Sequence, residues 1–279
     1  MKVLLLGASG FVGRHLAAAL RARGDDVAGA SARVPDTAAD VAAQCDAIVN
    51  LAGEPIAQRW NDRVKERIEA SRVDGARRFL DALAERPRRC TAYVSASAVG
   101  YYGTSETETF VEDSPPGDDF LARVCVGWER EARRASTLGM RVTLVRTGVA
   151  LGTDGGALPK MLPAFRLGIG GVIGNGRQWL SWVHVDDLIG IYRLALDGAQ
   201  GPLNACAPNP VRNANFTKEL GAALHRPTIL PVPTLALQAM LGEGAEMLLR
   251  GQRALPRRTQ ELGYRFEFPE LKDALANLL

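Results

Sequence analysis

Three glycines, Gly7, Gly10 and Gly13, stand directly behind the apolar run Val3-Leu4-Leu5-Leu6 and directly before an Ala-, Leu- and Arg-rich stretch that runs to Arg23. The order is strand, glycine turn, helix, and each glycine has its own task. Gly7 permits a sharp turn out of the strand, Gly10 lets the backbone approach a diphosphate, and Gly13 lets the helix pack closely. A helix start presents unpaired N–H groups and a partial positive charge, which suits phosphate oxygens. Gly7, Ser9, Gly10, Phe11, Val12 and Gly13 are therefore the expected cradle of a dinucleotide. Arg14 follows at once, and Arg33 lies about twenty residues past the third glycine, after the second strand, where an NAD site carries an acidic residue for the ribose 2′-hydroxyl. An arginine suits a 2′-phosphate instead, so NADP is expected over NAD. Asp36 is close by but sits beyond Pro35 and is poorly placed.

A second group of candidates lies at the ends of later apolar runs. Asp46 to Gly53 reads as a buried parallel strand entering a glycine turn, and ligands lie at the carboxyl ends of such strands. Leu51, Ala52, Gly53 and Glu54 should then border the cofactor. Thr91 to Ala96 leads into Ser95-Ala-Ser97-Ala-Val-Gly-Tyr101-Tyr102-Gly103, which offers a serine and two tyrosines as hydroxyl chemistry.

Positioning elements follow from periodicity. Helices are expected over about Phe11–Arg23, closed by Gly24, and over Asn61–Glu85, Asp119–Leu138 and Leu158–Leu167. Further helices are expected after the stretch Trp182–Leu188, running to about Leu196, and over Phe216–Leu224, Thr234–Arg250 and Glu270–Leu279. Strands are expected at Val27–Ser31 and Arg141–Arg146, with Leu203–Cys206 as a last strand. Thr37–Gln44 is too short for a full strand–helix unit. The alternation makes an α/β protein with a doubly wound parallel sheet, a Rossmann fold. Nine glycines between Gly148 and Gly176 mark a glycine-rich excursion on the substrate side. The expected division is a dinucleotide-binding part over 1–150, to which 176–206 returns, and a smaller substrate-binding part over 151–279.

Composition narrows the partners. Basic and acidic residues number 34 and 31, so the net charge of +3 gives no warrant for a nucleic acid. Four scattered cysteines and three histidines form no CxxC pair or zinc spacing. No apolar run reaches the roughly 18 residues of a membrane span. The first strand begins at the N-terminus, so no signal peptide is expected. A cytoplasmic setting, a small-molecule substrate and a possible homodimer are the expectations.

In sequence order, GASGFVG (7–13), NLAGEPIA (50–57), SRV (71–73), SASAVGYYG (95–103), CVGWE (125–129), RTGVALG (146–152), GRQWLSWVHVDDL (176–188) and GQRALPRR (251–258) stand along nearly the whole chain. With these motifs the chain resembles the extended short-chain dehydrogenase/reductases, and within them an atypical subgroup of NAD-dependent epimerase/dehydratase proteins described as nucleoside-diphosphate-sugar epimerases. The resemblance implies a nicotinamide cofactor and epimerase or oxidoreductase chemistry on a small polar substrate, with a sugar nucleotide as one candidate.

The resemblance also exposes a gap. Relatives carry a Tyr-x-x-x-Lys pair, because a free tyrosine titrates near ~10 and needs a nearby cation to take a proton at neutral pH. No tyrosine here has a lysine four residues on. By resemblance the pair falls at about Leu121 and Cys125, and the family's asparagine position is Arg72. Arg72 is accordingly grouped with the cofactor residues. Leu180 stands where sugar-nucleotide epimerases place an arginine. Ser97 matches the superfamily's active-site serine, and its alternative reading is a turn cap. Tyr101 or Tyr102 could serve as acid, or both could wall a pocket. Gln178, Ser181 and Trp182 fall where the resemblance places the substrate cleft, with Trp182 able to stack on a ring. His184, between two valines, reads as a core histidine. Two functional classes remain: an NADP-dependent enzyme with an unusual proton carrier, or a catalytically silent NADP(H)-binding sensor.

Overall fold

In the computed structural model, which describes residues 1–279, the opening segment forms β1 (Lys2–Leu6) and α1 (Phe11–Ala22). Alternation along β1 defines the two faces of the sheet: Val3 and Leu5 enter one core layer, Leu4 and Leu6 the other, and all four are fully buried. The chain continues through β2 (Asp26–Ala30), α2 (Pro35–Ala42), β3 (Ala47–Asn50), α3 (Asp62–Ala84), β4 (Ala92–Ala98), α4 (Phe120–Arg133) and β5 (Arg141–Thr147). After α5 (Leu158–Arg166) and α6 (Val185–Leu196), β6 (Gly201–Ala205) completes the sheet. The order is β2-β1-β3-β4-β5-β6 and every pairing is parallel. Strand order reverses between β1 and β3, and a ligand crevice belongs outside the carboxyl ends at that point.

Both faces are covered, as an all-parallel sheet requires. Leu16 and Leu20 of α1 and Leu188 and Ile191 of α6 pack on one face. Ala38 of α2, Phe79 and Leu80 of α3 and Ala132 on α4 pack on the other. The short α2 begins with Pro35 at its first turn, and Asp36 turns away to pair with Arg86 at 3.1 Å. Asn61 caps α3 by accepting the Val64 N–H, and Asp119 caps α4 by accepting that of Ala122.

A third apolar cluster stands apart from the sheet layers. It joins Leu158, Leu162 and Phe165 of α5, Trp182, Phe216 and Leu220 of α7 (Asn213–Ala223), and Leu271 and Leu275. The expected single helix over 234–250 is broken into α8 (Thr234–Leu241) and α9 (Glu246–Leu249), because Gly242 takes φ +58° between them. Two elements had no clear sequence signal: α10 (Arg257–Glu261) and the pairing of Arg253–Ala254 with Thr109–Phe110. Both are too short to show a period. The last helix, α11 (Leu271–Leu278), packs with α7, and the segment leading into it is tied to α6 through Asp187. The buried Asp187 carboxylate accepts the Tyr264 hydroxyl and the Glu267 and Phe268 N–H groups.

The glycine-rich excursion does more than flank a cleft. It folds back over the first turn of α1 and seats the Phe11 ring on Gly152, Gly155 and Gly156. A Cβ at position 155 would lie 2.3 Å from Phe11 Cδ2. Asp154, at the tip, bonds Arg14 at 3.1 Å and His15 at 2.9 Å. Substitution Gly155→Ala therefore overpacks this saddle, and urea unfolding should show a loss of about 1–3 kcal/mol. An unchanged midpoint would mean that the 152–156 turn is not clamped on α1.

Candidate functional site

The crevice is built from three strand ends. At β1, Gly7 has φ +84° and Gly10 precedes α1 with no side-chain cap. A Cβ on Gly13 would lie 2.3 Å from the Gly7 oxygen, so α1 sits directly on the turn that it follows. Ser9 and Gly10 are exposed. The N–H groups of the first helical turn thus face open space beside bare backbone, an arrangement that accepts phosphate. Phe11 contributes backbone only, since its ring lies in the glycine saddle, and Val12 is half-buried behind it.

Beyond β2, Arg33 is exposed and its guanidinium makes no ion pair. Arg14 differs. Its guanidinium donates to the Ser9 carbonyl at 3.1 Å and pairs with Asp154, so it braces the glycine turn. Of the two arginines expected near the adenosine end, only Arg33 is unengaged.

At β3, Asn50 is buried and its Oδ1 accepts the Ala52 N–H at 3.1 Å, which fixes the turn through Leu51. The turn lies against the first one: a Cβ on Gly7 would be 3.0 Å from the Leu51 carbonyl carbon. Gly53 is exposed and lies under the Arg72 guanidinium. Glu54 donates its N–H to Ser71 Oγ, while its carboxylate lies 3.6 Å from Arg67.

At β4 the hydroxyls sort themselves. Ser97 is buried and donates to Glu129 at 2.8 Å. Glu129, on α4, holds Arg146 of β5 through two contacts, Nε at 2.7 Å and Nη2 at 2.9 Å, with both side chains buried. Arg146 also donates to the Tyr102 hydroxyl and to the Glu112 carbonyl. Tyr102 in turn donates to Asn204 at 2.7 Å. Burial disfavours the charged guanidinium, but the hydrogen bonds and charge of Glu129 outweigh it and raise the Arg146 pKa. Burial also drives the Tyr102 pKa well above the ordinary phenol value, so its hydroxyl stays protonated. Ser97 and Tyr102 are thus members of a closed buried network. Tyr101 is not: it is half-buried, its ring lies 3.5 Å from the Arg146 guanidinium, and its hydroxyl has no protein partner.

The residues expected on the substrate side are corrected by the structure. Trp182 has no exposed surface and donates its indole N–H to the Asn209 carbonyl, so it is a core residue and cannot stack on a ligand. Gln178 and Ser181 are buried as well. Gln178 ties the Ile173 and Leu248 carbonyls together, and Ser181 links Gln252 and Ala254. All three hold the C-terminal segments in place. His184 caps α6 through Nδ1 and stacks on Phe268, as a core histidine does. Cys125 is buried, with its thiol pushed up to about 12, first by burial and then by the nearby Glu129 charge.

Sequence reasoning missed Glu129, Arg146, Glu112 and Asn204. One signal was available: Arg146 ends the apolar run Val142-Thr143-Leu144-Val145 in a sheet buried on both faces, and a charge there demands a partner. No group of three or more His, Cys, Asp or Glu side chains is placed to hold a metal, and no helix is long and apolar enough to cross a membrane.

The model of the NAD dependent epimerase/dehydratase family matches residues 3–205, and that of a domain of unknown function (DUF1731) matches residues 232–278. The chain is 44% identical to the chloroplastic epimerase family protein SDR39U1 homologue of Arabidopsis thaliana, over all of this chain and 87% of that protein. It is 41% identical to the human epimerase family protein SDR39U1 over the full length of both. The crystal structure of the human protein (isoform 2) with NADPH superposes with a TM-score of 0.91 at 39% identity, covering 100% of this chain and 99% of that one.

The buried network has a direct consequence for stability. Glu129→Gln leaves the Arg146 guanidinium buried without a countercharge, and breaking such a pair costs about 3–5 kcal/mol. Chemical denaturation should register that loss, and a change below about 1 kcal/mol would show that the pair is solvated in solution.

Proposed function

The chain belongs to the NAD dependent epimerase/dehydratase family, and we propose that it binds NADPH across the β1 turn and acts as an oxidoreductase or epimerase on a small polar substrate. The observation that carries this reading is the uncapped, exposed start of α1 pressed onto Gly7, flanked by the unpaired Arg33. A 2′-phosphate would give Arg33 the anion that the protein does not supply. The NADPH bound by the human relative supports the same choice.

Within this reading, Gly7, Ser9, Gly10, Phe11, Val12 and Gly13 present backbone to the diphosphate. Leu51 to Glu54 form the floor beside it. Residues 151–279 supply most of the substrate side. When bound, the nicotinamide supplies the hydride chemistry; the protein supplies position and electrostatics. The proton carrier is assigned to Tyr101. The hydroxyls of Ser97 and Tyr102 are engaged in the buried network, Tyr93 and Tyr264 have partners in Asn50 and Asp187, and Tyr192 is buried in the core beneath the sheet. Tyr101 alone presents an uncommitted phenol at the end of β4, with its ring fixed by the Arg146 cation. Ser97 becomes a positioning residue that anchors the strand end to α4.

Two measurements test the reading. Calorimetry should find NADPH bound more tightly than NADH, and Arg33→Glu should reduce that preference by at least about tenfold, the loss of a charge-assisted phosphate contact. A preference unchanged by the substitution removes Arg33 from the 2′-phosphate. Next, transfer of deuterium from 4-deuterated NADPH should be followed across a panel of sugar nucleotides and small carbonyl compounds. Tyr101→Phe should keep NADPH affinity within about twofold and lower transfer by about 10²–10⁴-fold, the range of general acid–base catalysis. Tight binding with no transfer to any member of the panel would argue for a sensor instead.

A further inference from the structure

At the edge of the sheet opposite β2, a cavity of about 230 Å³ lies between residues 111–113 and α10. It borders β6, and four inter-strand steps, roughly 19 Å, separate β6 from β1 and its crevice. Glu112 lines the cavity and is only 4% exposed. Its Oε1 accepts the Asn204 N–H at 3.0 Å and its carbonyl accepts Arg146, while Oε2 is buried with no hydrogen-bond partner. Arg258, on α10, lines the same cavity. Its guanidinium, half-buried beside Gly201, where a Cβ would lie 3.6 Å from Cζ, has no ion-pair or hydrogen-bond partner. Thr259 fastens α10 to β6 by donating its hydroxyl to the Asn204 carbonyl at 3.0 Å. A buried carboxylate oxygen and a guanidinium, each unsatisfied, thus border one cavity without reaching each other.

Each of these groups is costly as it stands, because a buried polar atom without a partner loses its solvation and gains nothing for it. Their footholds on β6, Asn204 and Gly201, are three residues apart, roughly 10 Å of strand. A molecule with a donating cation at one end and an oxyanion at the other satisfies both. An α-amino acid spans about 3 Å from ammonium nitrogen to carboxylate oxygen. A charge-assisted hydrogen bond of about 2.8 Å at each end then covers the gap. Volume decides against larger ligands: drug-sized molecules occupy about 300–1,000 Å³, so a sugar nucleotide or a dinucleotide does not fit. We infer that this cavity binds a small free amino acid, its ammonium donating to Glu112 Oε2 and its carboxylate accepting from Arg258. Asp113, Arg257 and Glu261, all exposed, stand at the rim and meet the side chain of the ligand. The Glu112 carbonyl also holds Arg146, whose guanidinium stacks on Tyr101. An occupant that fixes residue 112 therefore braces the Glu129–Arg146 network from outside the crevice.

NMR titration of the full-length protein with glycine, L-alanine and L-serine tests the site. L-alanine should bind with a Kd of about 1 mM or below. N-acetyl-L-alanine, which lacks the ammonium, and L-alaninamide, which lacks the carboxylate, should each bind at least about tenfold more weakly, the loss of one charge-assisted hydrogen bond. Arg258→Met should weaken L-alanine by a similar factor and leave L-alaninamide within about twofold, because the amide has no carboxylate to lose. Glu112→Gln, which keeps an acceptor for the Asn204 N–H, should weaken L-alanine and spare N-acetyl-L-alanine in the same way. The analogue series uses the wild-type protein alone, so it decides the matter even if a variant fails to fold. No binding of any of the three amino acids, or analogues that bind as tightly as L-alanine, overturns the inference. So does L-alanine affinity that survives both substitutions.

Discussion

Much of the crevice depends on one buried ion pair, Glu129 with Arg146. A buried guanidinium on the inner strand β5 would be untenable without a carboxylate in good geometry, and α4 supplies it along two contacts. The remaining donors and acceptors then determine their neighbours. Ser97 ties the end of β4 to Glu129, and Tyr102 with Asn204 ties the same region to β6. The pair thus locks three strand ends and one helix into a single arrangement, and leaves Tyr101 stacked on the cation with its hydroxyl outside the network. What superficially reads as a row of catalytic hydroxyls is mostly a scaffold.

A second constraint acts at β1, and it is steric. The Gly7 carbonyl and the α1 backbone at Gly13 approach so closely that no side chain fits between them. The same closeness recurs where the 152–156 turn covers Phe11. The first helical turn is therefore gripped from two directions, by its own strand end and by a segment about 140 residues later in the chain. A diphosphate site needs such rigidity, because donors that are already oriented lose little freedom on binding.

Charge on the two flanks of that turn is arranged without countercharge. Arg33 and Arg72 make no ion pair, whereas Arg14, which looked equivalent in the sequence, is neutralised by Asp154. The distinction matters because only an unpaired guanidinium has attraction left for a ligand anion.

Elements with a strong period or a strong cap were determined by the sequence alone: the strand–glycine–helix opening, the parallel strands with their apolar runs, and the long α3 with its Asn61 cap. Those features depend on neighbours within a few residues, so local chemistry suffices. The division of the hydroxyls was decided only by tertiary structure. Ser97, Tyr101 and Tyr102 share one short motif, yet their roles depend on Glu129 and Arg146, which arrive from other elements. The same holds for Trp182, Ser181 and Gln178, whose side chains are consumed by carbonyls and packing from the C-terminal segments. Spacing along a chain reports which groups are available; which of them remain free for a ligand is settled by partners that only folding brings within reach.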